Sequence, residues 1–322
     1  MKPPTKFRIF AAIAAMFPVL AAAQAFPTKP IRMIVAYPPG GGTDIVARII
    51  APKLGSALGQ QVVIENRAGA GGIIATDIAA KSPPDGYTWF FGSAGNLAIN
   101  QALYSKVPFD IAKDFAAITQ VVSVDVILTV HPSLPVKTVG ELIALAKTRK
   151  GELSYASSGI GGIPHLSMEL FNITAGTKIV HIPYKGGAPA LVDILGGHIP
   201  MYVQSVVQSL STVKQGKLRG IALLSPKRAA VLPDVPTVSE TLPNCVATNW
   251  FGLVVPANTP AAIQKRIYDE VVKILRVPEM KEFIGAQGAD VVGDTPEEFA
   301  AFMKSESAKW ARVIKTSNIR VE

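Results

Sequence analysis

The chain commits itself at residues 31–44, where Ile31-Arg-Met-Ile-Val-Ala36 gives way to Tyr37-Pro-Pro-Gly-Gly-Gly-Thr-Asp44 and then to a periodic apolar stretch. This order predicts a buried strand, a glycine-rich turn and a helix with Thr43 and Asp44 in its first turn. The turn aims unpaired backbone N–H groups and the positive end of a helix dipole at one point. That point is a seat for an anion.

An export signal precedes it. Lys2, Lys6 and Arg8 form a basic start, residues 9–20 an apolar core broken by Pro18, and Ala23-Gln-Ala25 a small-x-small cleavage site. The apolar run is short for a membrane span, and no stop-transfer pattern follows. Cleavage after Ala25 predicts a periplasmic chain of 297 residues starting at Phe26. It removes three positive charges, so the formal net charge falls from +9 to +6. The remaining charge is spread thinly, which argues against nucleic acid and for small anionic ligands. Cys245 stands alone, so there is no internal disulfide or cysteine-based metal cluster, and it reads as a buried small hydrophobe.

Short apolar strands alternate with amphipathic helices, the mark of an α/β fold with mostly parallel strands. Strands are expected at residues 31–36, 61–65, 88–91, 118–130, 153–155, 178–182, 201–204, 218–224 and 248–255. Thr138 with Glu141 forms a capping box, and Thr259-Pro260 and Thr295-Pro296 place threonine at a cap before a first-turn proline. The proline-rich residues 232–243 read as irregular chain. Residues 118–130 and 248–255 are long for strands and suit two crossovers between lobes. The expected lobes are residues 26–128 with 252–322, and residues 129–251, with small ligands bound between them.

Five turns at strand ends carry the candidate chemistry: residues 37–44, 65–72, 92–96, 157–165 and 184–189. Singly each is an ordinary tight turn in which glycine supplies a positive φ. Together they line a cleft with N–H and hydroxyl donors.

Residues 37–44, 65–72, 157–165 and 184–190, with Pro84-Asp-Gly-Tyr-Thr88, Phe109-Asp110, Lys113-Asp-Phe115 and Leu232-Pro-Asp-Val-Pro-Thr237, resemble the Bug family of periplasmic solute receptors, in family order across the mature chain. The resemblance implies a two-lobed, periplasmic-binding-protein-like α/β fold (type II, two crossovers) without a cofactor. It further implies a monomer that closes on a small organic carboxylate and serves the membrane subunits of a tripartite tricarboxylate transporter. Carried over by position, Tyr37, Gly41 and Thr43 would grip a carboxylate from one lobe. Ser157, Ser158, Gly162 and His165 would grip it from the other, with Ser93, Ala94 and Gly187 adding contacts. Asp44 would cap its helix or orient the loop. Gln204 stands where many relatives carry an acidic residue, which disfavours an amino-bearing ligand; it also reads as a satisfied strand-end amide. Tyr37 and Tyr202 offer an apolar wall for an aromatic or branched acid.

His165 and Glu169 have metal-ligand spacing on a helix but lack further ligands, and His131, His181 and His198 read as surface or satisfied histidines. A secreted hydrolase is the enzyme alternative, yet neither residues 92–95 nor 156–159 supply Gly-x-Ser-x-Gly. A nucleotide loop needs Gly-Lys-Ser/Thr, whereas Gly42 is followed by Thr43 and Asp44. A receptor that docks on a signalling protein instead of a permease would need the same closure.

Overall fold

The computed structural model describes residues 26–321; the expected export signal, residues 1–25, lies outside them. β1 (Ile31–Val35) turns into α1 (Gly42–Leu58) as the sequence predicts. α1 buries Val46, Ala47, Ile50, Leu54 and Leu58 on one face and stops at Gly59, a left-handed cap with φ of +70°. β2 (Val62–Asn66) and α2 (Ile73–Ala80) repeat the unit. β3 (Thr88–Ser93) leads into a π turn at Gly95–Ile99 and the short α3 (Asn100–Leu103). β2 and β3 flank β1, both parallel to it.

After α4 (Ile111–Asp114) comes β4 (Phe115–Val130), 16 residues of mostly buried chain. The chain continues with α5 (Val139–Thr148), β5 (Ser154–Ser157), α6 (Ile163–Ala175), β6 (Val180–Pro183) and α7 (Gly187–Leu195). β7 (Met201–Ser205), α8 (Val206–Lys214) and β8 (Arg219–Leu223) complete this half. The return runs through β9 (Thr248–Pro256) to α9 (Ala261–Leu275), α10 (Pro278–Ala286), β10 (Ala289–Val291) and α11 (Pro296–Thr316).

The strands form one sheet in the order β2-β1-β3-β9-β4-β7-β5-β6, with β8 and β10 also on β4. The outer triplets are parallel, and the centre around β4 and β9 is antiparallel. β4 changes partner at one peptide. Asp125 is its last residue opposite β9, facing Thr248, and Val126 its first opposite β7, facing Ser205. The second crossover lies at the same level: Ala247 donates its N–H to Leu224 O, and Leu224 donates to Val126 O. The result is a two-lobed α/β fold joined by two crossovers. One core covers a face of the sheet with Phe90, Val126, Trp250 and Trp310; the other holds Trp89, Phe91, Val124 and Phe251. Cys245 is fully buried in the first, where burial pushes its thiol up to about 12.

Local chemistry departs from expectation in three places. Thr138 and Thr295 cap their helices, but Thr259 does not: its hydroxyl closes the turn onto Pro256 O, and Pro260 takes the cap position. Within the proline-rich segment, Thr237 and Glu240 form a capping box around one helical turn, Val238–Glu240. β10 was not expected, because three residues carry too little pattern to stand out.

Candidate functional site

The first turn owes its shape to Asp44. This buried carboxylate accepts from Gly40 N at 2.8 Å, Arg48 Nε at 2.8 Å and Asn66 Nδ2 at 2.9 Å. Burial alone would raise its pKa; the bonds from Arg48, Gly40 and Asn66 outweigh burial and hold it below the usual carboxylate range. Asp44 therefore ties the loop to its own helix and to β2, while Gly41, with no side-chain cap, opens the helix. The first-turn N–H groups of Gly42, Thr43 and Asp44 have no partner inside α1.

The third loop is fastened to the first and second. Tyr37 Oη lies 2.9 Å from Ser93 Oγ. Asn96, fully buried, accepts from Ser93 N and Oγ and donates to Gly71 O. Ala94 is fully buried, and its methyl packs in the core.

In the other lobe, Ser157 Oγ bonds the backbone of Gly159 and lies 2.7 Å from His181 Nε2. His165 Nδ1 accepts from Gly161 N at 3.0 Å, which assigns the ring proton to Nε2. Burial lowers His165 to about 4 and His181 to about 3, so both rings are neutral at physiological pH. The fifth loop follows: Gly186 N donates to Ser158 O, and Tyr202 Oη donates to Gly187 O. A Cβ on Gly187 would sit 2.7 Å from Gln204 Nε2, so the glycine lets the loop close onto β7. Gln204 Oε1 also accepts from Ser205 N, which ties this amide to its own strand end.

The expected residues thus gather in two sets: Tyr37, Gly41, Thr43, Ser93 and Ala94 at the ends of β1 and β3, and Ser157, Ser158, Gly162, His165, Gly187 and Gln204 at the ends of β5, β6 and β7. The lobes touch beside them. Gly161 packs on Leu103 of α3, with no room for a Cβ. Sequence reasoning passed over Asn66, Asn96 and His181. His181, expected to be bland, stacks on His165 and holds Ser157. Glu169 accepts from Tyr155 Oη, and Tyr202 is fully buried beside the fifth loop, with its hydroxyl bonded to Gly187 O.

Four helix N-termini (α1, α6, α7 and α8) stand at the carboxyl ends of β1, β5, β6 and β7. Arg48, the basic side chain bonded within the first-loop network, is engaged by Asp44 and Asn66. Chemically, this is an array of fixed dipoles and neutral donors suited to an anion.

A family model described as tripartite tricarboxylate transporter family receptor matches residues 46–319. BugT of Bordetella pertussis is 37% identical over 302 residues, 93% of each chain. An R. palustris protein solved with adipate is similar at TM-score 0.84 and 34% identity, over 92% of this chain and 99% of that one. MatC from Rhodopseudomonas palustris, solved with bound malate, reaches TM-score 0.80 at 28% identity over 90% and 100%. Matched along nearly its whole described length in sequence and in fold, the chain belongs to the tripartite tricarboxylate transporter receptor family, whose members are solute-binding receptors rather than enzymes.

Proposed function

We propose that the mature protein is an exported receptor that captures one small organic carboxylate between its lobes and delivers it to the membrane subunits of a tripartite tricarboxylate transporter. The lobes are residues 26–128 with 252–322, and residues 129–251. The observation that carries this reading is the gathering of donor loops and helix N-termini at the strand ends of both lobes, held by Asp44 and Asn96 on one side and by Ser157 and His181 on the other. A carboxylate bound there exchanges water for several charge-assisted hydrogen bonds without a basic residue. Contacts to both lobes favour the closed arrangement by a population shift. The adipate and malate bound by structural relatives belong to the same chemical class.

Calorimetry on protein unfolded and refolded to strip bound ligand, with mono-, di- and tricarboxylates, tests it. The expected result is one-to-one binding of at least one acid at about micromolar affinity, roughly 8 kcal/mol. Silence across the panel overturns it.

A further inference from the structure

The fold gathers charge that the sequence scatters. Residues 129–251 carry eleven Lys and Arg against six Asp and Glu, a formal +5, while residues 26–128 with 252–322 carry eighteen against seventeen. Nearly all the excess of the mature chain therefore sits in the second lobe.

Within that lobe the charge lies at the end opposite the donor loops. Val130 of β4 pairs with Met201, at the start of β7, and with Arg219, at the start of β8. β5 and β6 begin alongside, with Tyr155 opposite Met201 and Ser154 opposite Val180. The turns at this end carry the cations. Arg149 and Lys150 follow α5, and Gly151 donates its N–H to Lys178 O, which brings Lys178 beside them. Lys217 precedes β8, and Arg219 of that strand donates to Leu134 O and Val136 O, next to Lys137. Lys147 and Lys214 stand in the last turns of α5 and α8, where the helix dipole favours them; Lys137, Lys150, Lys178 and Lys217 lie outside any helix. Arg219 apart, these side chains are exposed, and none forms an ion pair among the described residues. Of the acids nearby, Glu141 is taken up by the Lys137 N–H at 2.6 Å, and Glu152 is exposed.

This face lacks the features of a protein interface. Every Phe, Tyr and Trp of residues 129–251 is buried or half-buried, so the lobe offers no aromatic anchor. Six of the seven exposed cations are Lys, compact hydrated charges without the planar fork that reads one phosphate or a base edge. A broad field of ammonium groups on turns suits a surface that is itself diffusely negative.

We propose that this end of the second lobe adsorbs to anionic phospholipid and holds the receptor at the membrane with its donor loops turned away from the bilayer, toward the solute. The proposal rests on the exported-receptor reading above. β5, β6 and β7 run from this face to the donor loops, so adsorption leaves the cleft uncovered. The attraction fades within a Debye length, about 10 Å at 0.1 M salt, so it retains the protein without locking it in place.

Co-sedimentation of the mature protein with vesicles of phosphatidylcholine, alone or with about a third phosphatidylglycerol, tests this. In about 0.05 M salt the mixed vesicles should bind at least about ten-fold more tightly, and about 0.5 M salt should abolish the difference. Lys150→Glu with Lys178→Glu, both on exposed turns, should lose most of that preference. Lys273→Glu with Lys281→Glu, an equal charge change at exposed positions of the first lobe, should keep it. If the first pair does not fold, the salt series on the unaltered chain still decides. Equal binding to both kinds of vesicle, or equal loss from both pairs, overturns the proposal. Carboxylate calorimetry on the same protein keeps the two readings apart: an acid that binds where lipid charge has no effect leaves the receptor reading standing and this inference fallen.

Discussion

His165 and His181 stack face to face, with ring centroids 3.8 Å apart and planes 15° from parallel. One comes from the first turn of α6 and the other from β6, so the pair pins the fourth loop to the sheet. Both rings are neutral when folded, at about 4 and about 3 against an ordinary 6.5.

The sign of the resulting pH dependence follows. Below pH 6.5 the unfolded histidines take up protons that the folded pair refuses until pH falls to about 4. Their contribution is complete above pH 6.5 and is lost progressively as pH falls. Denaturant midpoints should drop as pH falls from 7 to 5, a window that spans the ordinary histidine value of about 6.5. His181→Phe, which keeps a stacked ring, should reduce that slope.

Asp125 predicts the opposite trend. It sits at the partner change in β4, where burial raises its carboxyl to about 6, offset in part by Ser225 and Lys227 and reinforced by Asp290. Its folded value lies above its unfolded 3.8, so stability from this group is present at low pH and is lost as pH rises from 3.8 to about 6. Asp125→Asn should therefore stabilise the protein at pH 8, by up to about 2–3 kcal/mol, and by little at pH 4. A denaturant series at the two pH values checks it.

Two hydroxyl deletions should separate binding from folding. Thr43→Val keeps the shape of a buried first-turn residue and should weaken carboxylate binding by about 1–3 kcal/mol without changing the melting temperature. Ser157→Ala strands Gly159 N and the partner nitrogen of His181, so it should cost about 1–3 kcal/mol in stability as well as affinity. Calorimetry and thermal melts on both variants distinguish the two outcomes.

Gly161 has φ of +76° and abuts Leu103 across the lobe junction. Gly161→Ala should destabilise by more than about 1 kcal/mol, through backbone strain and the clash together. Adding Leu103→Ala should recover the steric part and leave the strain, which a double-mutant cycle of unfolding free energies resolves.

Much of the scaffold was legible in the chain because it is local. Strand, glycine-rich turn and helix are written contiguously at residues 31–58, and the unusual length of residues 118–130 announces a crossover. The joints were not legible, because they are long-range. Asn66 reaches back to Tyr37 O and Asp44 from β2, Asn96 bridges two loops from within a π turn, and His181 meets Ser157 across paired strands. Nothing in the spacing of an asparagine or a histidine tells which distant backbone group it will satisfy.

β4 belongs to both lobes at once, and this has a consequence for cooperativity. Neither half can be excised as a folding unit: removing the chain after Val130 strips β9 from the first sheet, and removing the chain before Phe115 leaves β9 without β3. Heat or denaturant should therefore melt the two lobes in a single transition. The same sixteen residues that join the lobes in the native state form the indivisible spine of the unfolding reaction.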